Sequence, residues 1–144
     1  MSSFEEYLEQ GIIQRCSINK PRAEFLANET EASFRGLNKR IEIMGIDEDN
    51  ANSIIKDCYD MIMELIRAKL LLSGYCSAGQ FAHEAEVMYL KRCGFPEKEI
   101  KFINELRYFR NSATYYGKKL GVEYAEKVTE FTLKIYPKLK GMLK

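Results

Sequence analysis

A single histidine, three prolines and four dispersed cysteines mark what this 144-residue sequence does without. Cys16, Cys58, Cys76 and Cys93 form no C-x-x-C pair, which removes the dithiol redox motif and the zinc knuckle. Even with His83 added they match no metal-ligand spacing, so no metal and no cofactor is expected. The thiols read instead as reduced, small buried hydrophobes. A glycine-rich phosphate loop is missing, because Gly117-Lys-Lys lacks both the preceding glycine and the following Ser or Thr. His83-Glu84 is only half of an H-E-x-x-H motif. The acidic run from Asp47 fails as a calcium loop, since Ala51, Asn52 and Cys58 occupy its fifth, sixth and twelfth positions. The apolar run Met61 to Leu72 is broken by Glu64, Arg67 and Lys69, so it is no plain membrane span. Phe4-Glu-Glu-Tyr-Leu-Glu-Gln is acidic where a signal peptide needs a basic start and an apolar run. A cytoplasmic protein without membrane contact is expected.

What is present is 46% hydrophobic residues and 30% charged ones, with a net charge of +1. That is enough apolar material for one sizeable core and too little chain for two ordinary domains, so residues 1–144 are expected to form a single domain. The charge is unevenly spread. Residues 1–90 hold 9 Lys+Arg against 15 Asp+Glu, a net of −6, and residues 91–144 hold 13 against 6, a net of +7. Either the basic part faces a polyanion or the two parts attract each other.

Apolar residues recur at helical spacing from end to end. Ser3-x-x-Glu6 starts a short helix bearing Phe4, Tyr7, Leu8 and Ile12. Asn19 as cap and Pro21 in the first turn start a second, with Ala23, Leu26, Thr30, Phe34, Leu37, Ile41 and Met44 on one face before Gly45. A third, capped within Asp47-Glu-Asp-Asn50, is apolar on more than one side toward Gly74, as the central helix of a bundle must be. The link Tyr75 to Gly79 leads to a shorter helix from Gln80 to Arg92. Pro96 opens a fifth, with Ile100, Ile103, Leu106, Phe109, Ala113 and Tyr116 in line and Gly117 at its end. A sixth starts near Val122, with Pro137 placed to kink it. No strand-like alternation appears, and the expected fold is an all-α, up-and-down bundle of five to six helices.

The fifth helix carries the densest chemistry. At about 100° per residue, Arg107, Arg110, Asn111 and Thr114 share a strip, with Arg110 at its border with the apolar stripe. Guanidinium groups take phosphate in a planar, two-pronged way, and a buried arginine must be paired or liganded. Tyr115, beside Asn111, is placed to stack on a base. The competing reading has the arginines paired with carboxylates and the tyrosines in a core or interface.

Arg110-Asn-Ser-Ala-Thr-Tyr-Tyr-Gly117 resembles the signature of the HEPN family, helical domains in which Arg-Asn is followed, after a short spacer, by histidine. The order of the second helix (Ala23, Phe25, Leu26), the central helix (Tyr59), the Gly74 to His83 link and the fifth-helix motif is similar to the family's over most of the chain. The resemblance implies an HEPN-like homodimer that binds RNA or a nucleotide, with Arg110 as the phosphate-binding and candidate catalytic residue and Asn111 as its companion. It also implies a small nucleotidyltransferase partner in a toxin–antitoxin system, with Tyr115 or Tyr116 open to adenylylation. Active members are metal-independent ribonucleases. Here Tyr115 or Tyr116 stands where the histidine belongs, and tyrosine, with a pKa near 10, is a poor proton carrier at neutral pH. Weak or absent ribonuclease activity is therefore expected, with His83 the sole imidazole candidate for proton transfer. The alternative is a helical interaction module whose arginine strip makes only structural or inter-subunit ion pairs.

Overall fold

A computed structural model of the chain describes residues 2–115 and 121–144, with 112–115 described by backbone alone. Its elements in order are α1 (Phe4–Glu9), β1 (Ile13–Arg15), α2 (Lys20–Met44), α3 (Ala51–Ser73), β2 (Tyr75–Ser77), α4 (Ala82–Arg92), α5 (Glu97–Tyr115) and α6 (Val122–Gly141). The described residues form an all-α helical bundle of six helices with one very small sheet. None of the helices among the described residues is long and apolar enough to cross a membrane.

Local chemistry sets most helix ends. The Ser3 hydroxyl accepts from Glu6 N–H at 3.2 Å, and the Asn19 side chain accepts from Arg22 N–H at 3.2 Å, with Pro21 in the first turn of α2. At α3 the expected cap takes another form. Asp47 Oδ1 accepts from the backbone N–H groups of Asp49 and Asn50, and Asn50 Oδ1 accepts from Asp47 N–H, so these side chains build the turn that precedes the helix. Asn50 itself makes no side-chain cap bond.

α3 is the hub. It packs against α2, α4, α5 and α6, and Ile54, Ile55, Cys58, Leu65 and Ile66 lose all solvent exposure. A helix covered by four neighbours needs apolar residues around most of its girth, which explains why its stripe is wider than that of α2. α2 buries only Ala23, Thr30 and Leu37, and Met44, expected on its apolar face, is exposed at the helix end. Phe34 stacks on Tyr136 at 3.9 Å between centroids and Phe102 on Phe131 at 4.0 Å, docking α2 and α5 on α6. α6 runs on through Pro137 to Gly141. The carbonyl four residues back belongs to Leu133, which is exposed, so water can satisfy it. Arg92 pairs with Glu5 at 2.7 Å and Lys140 with Glu31 at 3.4 Å, so part of the charge asymmetry is spent in attraction between the two halves.

The sheet corrects the expectation of a chain without strands. β1 and β2 pair antiparallel, with Ile13 opposite Ser77, Gln14 opposite Cys76 and Arg15 opposite Tyr75. Three residues per strand are too few for alternation to show in sequence. Of the cysteines, only Cys58 is fully buried, its thiol pushed up to about 11 by that burial, while Cys16, Cys76 and Cys93 are half-buried.

Gly74 ends α3 in the left-handed region, at φ 82°, and a Cβ there would lie 3.1 Å from the Cys16 carbonyl oxygen. Both constraints oppose a side chain. Gly74→Ala is expected to lower stability by about 1–2 kcal/mol, read from the midpoint of urea unfolding, and an unchanged midpoint would contradict this account.

Candidate functional site

Arg107 and Arg110 leave the same side of α5, one turn apart, and both are half-buried. The Arg110 guanidinium carbon lies 5.8 Å from the centroid of the Tyr59 ring on α3, within cation–π range. Its Nη2 is 3.9 Å from Asp60 Oδ1, at the outer limit of an ion pair. Burial raises the Asp60 carboxyl above the usual carboxylate range, a pull that Arg110 only partly opposes. Among the described residues, Nε of Arg107 and Nε of Arg110 are buried without hydrogen-bond partners, and Arg107 has no carboxylate within ion-pairing distance. Asn111 is half-buried on the same face. The side chains of Thr114 and Tyr115, and Tyr116 and Gly117 altogether, lie outside the described residues.

His83, in the first turn of α4, comes to this region from a different helix. Its Nδ1 is 3.2 Å from the Tyr59 hydroxyl and its Nε2 is 3.0 Å from Arg67 Nη2. Arginine can only donate, so Nε2 must be the acceptor and the ring must be neutral. The ring's one proton is then on Nδ1, donated to the Tyr59 oxygen. Desolvation and the positive charge of Arg67 lower the His83 pKa below 6.5, with smaller contributions from Arg110 and Arg107 and an opposing one from Glu86. The imidazole and the two α5 arginines therefore share one electrostatic environment. Tyr59 sits between them as a buried phenol pushed up to about 12, mainly by desolvation.

Arg67 and Glu86 complete the cluster, and neither was singled out as a site residue in the sequence. Arg67 Nε donates to Glu86 Oε2 at 2.8 Å, and the Glu86 side chain is 2% exposed. Its second oxygen, Oε1, has no hydrogen-bond partner among the described residues. The available sequence signal was Arg67 itself, a charge breaking the apolar run of the central helix. α4 starts at Ala82, two residues later than expected, because Phe81 takes a left-handed backbone at φ 70° with no side-chain cap. That conformation is strained for a residue with a Cβ, and it immediately precedes the turn holding His83.

Among the described residues no group of three His, Cys, Asp or Glu side chains is placed to hold a metal ion. The chemistry on offer is anion binding by guanidinium groups, with a neutral imidazole nearby. Comparison with family models, with curated proteins and with solved structures gives no match.

Because the chain has one histidine, its imidazole signals in ¹⁵N-resolved NMR are unambiguous. The proton is expected on Nδ1 and the titration midpoint below 6.5. An Nε2–H tautomer would refute the arrangement. The sign of the linked stability follows: the unfolded chain binds a proton at His83 that the folded chain resists, so this residue's contribution is intact above about pH 6.5 and is lost as pH falls toward and below its folded pKa.

Proposed function

We propose that the chain is an HEPN-like homodimer that binds the phosphates of RNA or of a nucleotide on the Arg107–Arg110 face. Its proposed context is a toxin–antitoxin pair with a small nucleotidyltransferase, with weak or absent ribonuclease activity of its own. One observation carries this reading: two adjacent half-buried guanidinium groups have unpartnered Nε atoms among the described residues and a single distant carboxylate between them. The Nε atoms themselves are closed to solvent, and phosphate oxygens bring two acceptors in one plane and a compensating charge to the exposed part of these half-buried side chains. Arg67, by contrast, is already held by Glu86 and serves structure.

The weak-nuclease part rests on His83. Cleavage of RNA through its 2′-hydroxyl needs a base with a free lone pair and an acid for the leaving oxygen. His83 is neutral near pH 7, but its Nε2 lone pair is occupied by Arg67 and its Nδ1 proton by Tyr59. A substrate hydroxyl must break one of these bonds to reach the ring.

Fluorescence anisotropy with a labelled single-stranded RNA across a salt series tests the reading. Binding should weaken steeply with salt, and Arg107→Ala/Arg110→Ala should lower the slope of log K against log salt by about 1.4, the value for two lost single-strand phosphate contacts. A double variant with wild-type affinity and slope would favour the alternative, a helical interaction module using these arginines only for ion pairs. Cleavage of the RNA by the pure protein, lost in Arg110→Ala, would overturn the weak-nuclease part.

A further inference from the structure

A groove of about 580 Å³ opens between α2, α3 and the link from β2 to α4, within the size range of small-ligand sites. Arg67 and His83 line it, and Tyr59 connects it to the α5 arginines: the His83 ring lies 6.2 Å from the Tyr59 centroid and the Arg110 guanidinium 5.8 Å from it. The groove wall has two characters. Leu26, Leu71 and Tyr75 supply apolar surface suited to the face of a planar ring. Glu86 also lines it, 98% buried, with Oε2 held by Arg67 and Oε1 lacking any donor among the described residues. The strained Phe81 backbone lies next to this wall, between the lining residues Gly79 and Ala82.

We propose that this groove is a nucleobase pocket for an amino-bearing base, adenine, guanine or cytosine, belonging to a nucleotide whose phosphates meet Arg107 and Arg110. A buried carboxylate oxygen accepts hydrogen bonds and makes none as a donor, so it favours an exocyclic amine and opposes a carbonyl edge. The leucines and Tyr75 cover the ring faces, and Arg22 at the groove edge adds a cation for the neighbouring phosphate. Glu86 Oε1 is closed to solvent, so the base reaches it only as a neighbouring lining side chain moves aside, and His83, exposed and held to Arg67 by one hydrogen bond, is the lining residue we assign to that movement. The inference rests on the phosphate-binding reading above, and its test separates the two.

The test uses labelled single-stranded oligoribonucleotides in matched pairs that differ only in the amine: adenine against unsubstituted purine, guanine against hypoxanthine, and cytosine against 2-pyrimidinone. In at least one pair, removal of the amine is expected to weaken binding about tenfold, the scale of one buried acceptor left unmet. The same amino oligomer should move the His83 ring signals. Leu26→Trp, which fills the groove from its α2 side, should abolish the discrimination and leave the salt slope intact. Equal binding within all three pairs, or discrimination that survives Leu26→Trp, overturns the base pocket while leaving phosphate binding standing. Salt-independent binding of every oligomer overturns both.

Discussion

One guanidinium group on the central helix reaches two residues of α4. Arg67 gives Nε–H to Glu86 and an Nη2–H to His83, so a single side chain fixes both the register of α4 against α3 and the rotamer of the imidazole. Glu86 cannot be left alone at 2% exposure, because an uncompensated buried carboxylate is strongly destabilising. The pair is therefore not exchangeable one side at a time. It also lines the groove with one cation and one carboxylate, and that cation, after desolvation, helps to keep His83 neutral.

A second constraint acts on the same helix from the opposite direction. α3 is enclosed by four helices, so any polar group it carries must exit through a gap between them. Arg67 exits beside α4, Asp60 toward α5, and Glu64 toward α2, where it takes the Thr30 hydroxyl at 2.9 Å. Two of the charged positions that break the apolar run, Glu64 and Arg67, are thus points at which the hub meets its neighbours through polar atoms.

Elements whose signals are local were legible in the sequence. Ser3, Asn19 with Pro21, Gly45 and Gly74 mark helix ends through bonds or backbone angles spanning four residues or fewer, and all four act where the sequence places them. The all-α bundle follows from the 3.6-residue spacing, and the hub from the breadth of the apolar surface after Cys58. The β ribbon was illegible because three-residue strands carry no period and pair across a long separation. The strip of α5 was visible, since helical geometry sets which residues share a face. Its environment was not. Whether Arg110 meets Asp60, and whether the sole imidazole reaches the Tyr59 ring that Arg110 also faces, depends on how α3, α4 and α5 are packed, and Arg67 and Glu86 acquire meaning only once that packing exists.

The ribbon also bears on the order in which the chain assembles. Ile13 is almost fully enclosed, yet its strand partner Ser77 is separated from it by the whole of α2 and α3. Closing so long a loop carries an entropic cost that is offset only after the two intervening helices have packed as a hairpin. β1 therefore gains from its partner only where α2 and α3 are already packed. The N-terminal segment is thus held in place by contacts between distant parts of the chain, so the closure cost of the long intervening loop falls on the β1–β2 pair.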